Sequence, residues 1–205
     1  MLTAQLVGGP TAILEYAGLR WLTDPSLSPP GEYEGGLVKT TGPALDPAAI
    51  GPIDVVLLSH EHHSDNLDPA GREFLPNAQR VLTTAAGAER LGDNATGLEP
   101  WFSVEIERPD GGTVTVTATP AQHGPDGTDH LTGPVVGFLL RGPGLETVYV
   151  SGDNASLDAL RDRLAGWGLA SVVVPSCERI DHHDEWLTLE GLRLVFDRNV
   201  GPVDD

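Results

Sequence analysis

Apolar positions along the chain fall in short runs broken by glycine and proline, a pattern of strands and turns more than of long helices. Leu2–Val7, Thr11–Tyr16 and Leu19–Thr23 are apolar or alternating. They are separated by Gly8-Gly9-Pro10 and Ala17-Gly18, which predicts three strands joined by tight turns. A long loop rich in Pro and Gly follows, from Asp24 to about Gly51, and a loop of that length in a compact domain is usually functional or mobile. Ile53–Leu58 is continuously apolar, as a buried strand requires, and runs straight into Ser59-His60. Pro69–Leu75 and Ala85–Leu91 read as short helices, with Val81–Thr83 as a strand between them. Phe102–Glu107 and Thr113–Thr119 flank the turn Pro109-Asp110-Gly111-Gly112 and predict a hairpin; Val135–Leu140 and Thr147–Ser151 predict a second. Ser156–Ala165 is a predicted helix with Ser156 as N-cap and Leu157, Leu160 and Leu164 on one face. Val172–Val174 is a further buried strand and Leu187–Phe196 a last helix. No internal repeat and no low-complexity linker interrupts the pattern, so residues 1–205 read as a single α/β domain.

Charge and cysteine content narrow the function classes. Thirty Asp+Glu against 12 Lys+Arg give a net charge of -18, which repels nucleic-acid backbones and anionic membrane surfaces as main partners. The 40% of hydrophobic residues suffices for a core. One cysteine, Cys177, allows neither an intrachain disulfide nor a Cys-rich zinc site. It follows Val172-Val173-Val174-Pro175-Ser176, the end of a buried strand, where packing outweighs a nucleophilic role. The N-terminus has no basic region and no long apolar run, so no signal peptide is read and the cytoplasm is the expected location. No stretch approaches the ~20 apolar residues of a membrane helix.

The seven histidines cluster, at 60, 62, 63, 123, 130, 182 and 183. The densest group is Ser59-His60-Glu61-His62-His63-Ser64-Asp65-Asn66-Leu67-Asp68, directly after the Ile53–Leu58 strand. Imidazoles and carboxylates crowded at a strand end supply the neutral nitrogens, charge-balancing oxygens and rigid base of a divalent-metal site. Two later segments repeat the placement: Thr113–Thr119 leads to His123, and Thr147–Val150 leads to Asp153. In α/β layers such strand ends face one crevice.

Four segments, in order along nearly the whole chain, resemble the metallo-β-lactamase fold hydrolases, in particular the branch that includes L-ascorbate-6-phosphate lactonase. They are Leu22-Thr23-Asp24-Pro25, Leu58-Ser59-His60-Glu61-His62-His63-Ser64-Asp65, Thr119-Pro120-Ala121-Gln122-His123 and Tyr149-Val150-Ser151-Gly152-Asp153. The resemblance implies a four-layer αβ/βα sandwich, two mixed β-sheets face to face with helices outside. It implies a metal set drawn from His60, His62, His63, Asp65, His123 and Asp153, with Asp65 as the catalytic carboxylate and Asp153 bridging two metals. His62 has the family's spacing from His60, whereas His63 has its spacing to Asp65; one inserted residue makes His63 the preferred ligand. Asp24 reads as a residue that fixes a turn or supports a ligating histidine.

The chain departs from the family pattern in two places. Asn66 stands where a further histidine is usual, and an amide oxygen is a poorer zinc ligand. The family's closing Pro-x-His corresponds here to Pro202-Val203-Asp204, so Asp204 takes the place of the last histidine unless His182 or His183 substitutes. The domain therefore reads as lacking the usual C-terminal end, and the second metal position as weak.

The implied activity is metal-dependent hydrolysis of a small-molecule substrate with one or two Zn²⁺, or with Mn²⁺ or Fe. Such an ion lowers the pKa of a water to about 7 and so supplies hydroxide at neutral pH for attack on carbon or phosphorus. A lactone, ester or amide is favoured over a phosphoester, because the chain offers few cations: Lys39 is its single lysine, and Arg179 is the basic residue nearest the His182 loop in sequence. The alternative is a catalytically degenerate member that binds metal or ligand without turnover. Association into a homo-oligomer is left open.

Overall fold

In the computed structural model, residues 2–124, 127, 129–156 and 160 are described. The strands are β1 (Thr3–Gly8), β2 (Thr11–Tyr16), β3 (Leu19–Thr23), β4 (Gly31–Glu32), β5 (Val38–Lys39), β6 (Ile53–Leu57), β7 (Ala78–Thr84), β8 (Ala95–Leu98), β9 (Ser103–Glu107), β10 (Thr113–Pro120), β11 (Val136–Arg141) and β12 (Val148–Val150). The helices are α1 (Pro69–Phe74), α2 (Ala85–Leu91) and α3 (Asp129–Thr132). One sheet has the order β1-β2-β3-β6-β7-β8 and a second the order β12-β11-β10-β9, while β4 and β5 pair apart in the long loop. The first sheet is mixed: β1, β2 and β3 are antiparallel, and β3, β6, β7 and β8 run parallel. The four described strands of the second are antiparallel.

The period-two pattern of β3 and β6 explains why the larger sheet sits in the middle. Trp21, Val55 and Leu57 point into one cluster, with Val114, Val116, Phe138 and Leu140 of the second sheet opposite. The intervening Leu22, Val56 and Leu58 point to the other face, against Leu27 of the long loop and Phe74 and Leu75 at the end of α1. A strand buried on both faces reads as a continuous apolar run, which is what Ile53–Leu58 is. Helix, sheet and sheet are thus stacked as in an α/β sandwich. The predicted strand Val172–Val174 and helix Leu187–Phe196 lie outside the described residues, together with Cys177, Arg179, His182, His183 and Asp204. Of the predicted helix Ser156–Ala165 only residues 156 and 160 are described, and Leu160 packs on Leu139 of β11.

Four short elements escape the sequence pattern. β8 is Ala-Thr-Gly-Leu, too short and too poor in branched residues to alternate visibly; it forms because β7 offers it a parallel edge. β4 and β5 have two residues each, and α3 a single turn.

The long loop is not free. Asp68 caps α1 by accepting from Gly71 N at 2.8 Å, with Pro69 at the first helical position. The same carboxylate accepts from Leu27 N (3.0 Å), Ser28 N (2.7 Å), Ser26 Oγ (3.2 Å) and Lys39 Nζ (2.8 Å). Lys39 also donates to the Ser26 carbonyl at 3.2 Å. A Cβ on Gly71 would lie 1.6 Å from the Pro25 carbonyl oxygen, so only glycine lets α1 come this close to the loop. Burial alone would raise the Asp68 pKa, but the Lys39 ammonium and the three backbone N–H groups outweigh it and hold the group below its ordinary value.

Removing one partner of a buried ion pair leaves the other uncompensated. Asp68→Ala is therefore expected to cost about 3–5 kcal/mol of unfolding free energy, read from urea denaturation; a loss under ~1 kcal/mol would contradict the account. Because the folded pKa is depressed, this contribution is full above the ordinary carboxylate value of ~3.9 and is lost as pH falls through and below it.

Candidate metal centre

The strand-end residues meet. β6 is followed by Leu58, Ser59 and His60, and Leu58 N still donates to Leu82 O at 2.9 Å, so the chain leaves the sheet in register. Ser59 is held on every side. Its N–H donates to Asp24 Oδ1 at 2.6 Å, its carbonyl accepts from Val136 N at 3.1 Å, and its hydroxyl lies 3.0 Å from His60 Nδ1. Gly152, with φ +59°, packs against it; a Cβ there would lie 2.5 Å from Ser59 Cβ. The Asp153 turn is thereby pressed onto the residue that precedes the first histidine.

Three ring nitrogens converge. His60 Nε2 lies 2.9 Å from His63 Nδ1, which lies 3.0 Å from His123 Nε2. The rings meet edge to face, with centroids 4.7 to 5.2 Å apart. Asp153 Oδ2 is 3.7 Å from His123 Nε2. His60 is fully buried, His63, His123 and Asp153 are half-buried, and Asp65 is exposed. His62 is turned elsewhere: its Nε2 lies 2.6 Å from the Thr132 carbonyl of α3, and its Nδ1 lies 3.9 Å from Glu61 Oε2. His62 still has a nitrogen near those of His60 and His63, so two groups could hold an ion: His60, His62 and His63, or His60, His123 and Asp153. His130 is exposed on α3, with Nδ1 3.0 Å from the Gly127 carbonyl.

His60 and His63 are kept neutral, the state a metal needs. Burial, and then the neighbouring imidazoles His63, His62 and His123, lower His60 to about 2. Burial lowers His63 as well, with His62 and His123 adding to it. Burial and then Asp65 raise Asp153. Burial raises Asp24 to about 7 against the Ser59 N–H that it accepts, with Asp153 adding to the rise.

Hydrogen-bond polarity then orients the cluster. The buried Asn66 amide satisfies its surroundings when its nitrogen faces the carboxylates, donating to Asp153 Oδ2 and Asp65 Oδ1 at 3.1 Å each. In that orientation the amide oxygen lies 3.3 Å from Ser59 Oγ, and the hydroxyl proton goes to it or to the Asp24 carboxylate, to which the Ser59 side chain also hydrogen-bonds. Ser59 Oγ must then accept from His60 Nδ1–H, which leaves a lone pair on His60 Nε2. One proton on His63 Nδ1 cannot serve both of its neighbours, whereas a cation among the three nitrogens satisfies them all. Nitrogen separations of 2.9 and 3.0 Å suit neighbouring donors around an ion with bonds of about 2.0–2.1 Å.

The fold and the donors invite comparison with known proteins. The profile of the beta-lactamase superfamily domain matches residues 20–192, most of the chain. The chain belongs to that superfamily. Over 168 residues it is 26% identical to UPF0173 protein YddR of Bacillus subtilis, covering 75% of this chain and 63% of that protein. The crystal structure of isothiocyanate hydrolase from Delia radicum gut bacteria superposes with a TM-score of 0.64 at 23% identity, covering 80% of this chain and 67% of that one. At that identity the likeness speaks for the fold. A separate stretch of 37 residues is 60% identical to type III pantothenate kinase of Acidothermus cellulolyticus, but it is 18% of this chain and 14% of the kinase. The chain thus spans under two thirds of the length of these curated relatives.

Asp24 has the supporting place that the sequence assigned to it, one residue from His60 through Ser59. Two supports had no signal in the sequence. Asn154 Oδ1 accepts from Gln122 N at 2.9 Å while Ala155 N donates to Gln122 O at 2.7 Å, clamping the His123 segment to the Asp153 segment. Ser59 sets the His60 ring. Ser59→Ala is expected to lower Zn²⁺ affinity by about 10–100-fold in chelator competition, with the fold intact by circular dichroism. Unchanged affinity would remove Ser59 from this role.

Proposed function

We propose that the chain is a metal-dependent hydrolase of a small molecule with an electrophilic carbon, and that His60, His63 and His123 hold its metal with Asp153 beside them. The observation that carries the reading is the convergence of three ring nitrogens from two strand ends on one point. Three imidazoles with an open position are a donor set that catalytic zinc uses, and Mn²⁺ or Fe suit nitrogen and carboxylate donors too. When bound, the ion would activate a water and polarise the group under attack.

The chain's own residues supply the rest. Asp65 is exposed at the mouth while Asn66 fixes one of its oxygens, so its free oxygen can orient a water and take its proton. Ser59 and Asp24 hold His60 from below. Three basic side chains of this region are engaged elsewhere: Arg90 Nε on Glu61 Oε1 at 2.5 Å, Arg72 on the Glu61 carbonyl at 3.0 Å, and Lys39 on Asp68. That supports a lactone, ester, amide or isothiocyanate over a phosphoester, which needs cations to hold its charge. The isothiocyanate hydrolase that shares the fold acts on a carbon of this kind. Asn66 favours one second reading, a member that binds metal or ligand without turnover.

Two measurements test the proposal. Metal-free protein reconstituted with Zn²⁺, Mn²⁺ or Fe²⁺ is expected to turn over p-nitrophenyl acetate, a simple lactone or an aryl isothiocyanate, and to leave bis(p-nitrophenyl) phosphate untouched. Metal-dependent loss of none of these substrates would favour the non-catalytic reading. His63→Ala is expected to lower metal affinity far more than His62→Ala. Equal losses, or a larger one at His62, would shift the ligand set to His60, His62 and His63.

A further inference from the structure

Asn66 is wholly buried, yet it stands between two carboxylates at the mouth of the centre. Two acids this close to a metal are what a second cation would use, since paired sites hold two ions about 3.5–4 Å apart on shared carboxylates. Here a neutral amide fills the gap. With its nitrogen turned toward the carboxylates, the orientation that satisfies both ends, its two N–H bonds reach Asp65 Oδ1 and Asp153 Oδ2, and its oxygen lies on the Ser59 side. We infer that the Asn66 amide takes the place of a second metal between Asp65 and Asp153, so that the centre is built for one cation. The inference rests on the proposed histidine site and deepens it by fixing its stoichiometry.

The donor inventory agrees. Both groups of side chains that could hold an ion contain His60, and neither contains Asp65. Among the described residues, no such group brings Asp65 together with two further donors, whereas Asp153 already shares one with His60 and His123. The amide screens these carboxylates from each other as a cation would, but without charge, and its anchoring by Ser59 keeps the nitrogen aimed at them. An amide that instead offered its oxygen to a second ion would turn its N–H₂ toward the Ser59 side and leave both carboxylates to the ion.

The two roles of Asn66 predict opposite effects of its removal. The experiment loads the protein with one equivalent of Zn²⁺ and then titrates Mn²⁺ at physiological ionic strength, reading free Mn²⁺ by electron paramagnetic resonance. The unmodified protein is expected to hold one Zn²⁺ tightly and to bind Mn²⁺ only weakly. Asn66→Ala, which bares the carboxylates, and Asn66→Asp, which adds a third, are each expected to bind Mn²⁺ at least about tenfold more tightly. Near-UV circular dichroism establishes that each variant is folded, and either one alone decides the question. Two tight equivalents in the unmodified protein, or weaker Mn²⁺ binding in Asn66→Ala, would overturn the inference while leaving the histidine site standing. Failure of the unmodified protein to retain even the first Zn²⁺ would instead remove the histidine site, and this inference with it.

Discussion

Ser59 is the residue on which the rest of the arrangement depends. Its backbone N–H is bound by Asp24 at the end of β3, its carbonyl by Val136 at the start of β11, and its hydroxyl by His60 and Asn66. Gly152 presses on its β-carbon from the segment that carries Asp153. One small residue thus joins the two sheets through its backbone, and the chemistry sits at that junction. A larger residue would push Asp153 away, and a residue without a hydroxyl would leave the His60 ring free to turn. The close packing of a protein interior makes such a junction intolerant of added volume.

Electrostatics explain why the junction needs so many neutral donors. The chain is strongly acidic, and Asp24, Asp65 and Asp153 are gathered around three histidines, two of which, His60 and His63, burial keeps uncharged. Without a cation, such a group would be left with lone pairs facing one another. The structure answers part of this with hydrogen bonds, from Ser59 N to Asp24 and from Asn66 to the other two acids, and leaves the three ring nitrogens to a metal. The cations that could have competed are tied down elsewhere, Lys39 by Asp68 and Arg90 by Glu61.

The histidine clusters were legible in the sequence because imidazoles and carboxylates crowd directly after an apolar run, and the runs themselves follow from strands buried on one or both faces. His60, His123 and Asp153 are brought together by the sheet topology that those runs predict. Spacing favoured His63 over His62 only through one inserted residue, because both lie on one irregular turn, and the Thr132 carbonyl shows where His62 is held. Ser59 and Asn154 left no trace in the pattern: a serine before a histidine and an asparagine after an aspartate look like any polar loop. Asn66 stood out as a departure, but its two donated bonds depend on the positions of carboxylates from two different segments. β8 went unread because its pairing with β7, rather than its own composition, makes it a strand.

The central claim is that this sheet edge gathers imidazole nitrogens for one ion. X-ray absorption spectroscopy of the zinc-loaded protein tests it most directly. A first shell dominated by imidazole nitrogen at about 2.0–2.1 Å and no metal–metal vector are expected. A shell of oxygen alone, or a second metal at about 3.5–4 Å, would contradict it.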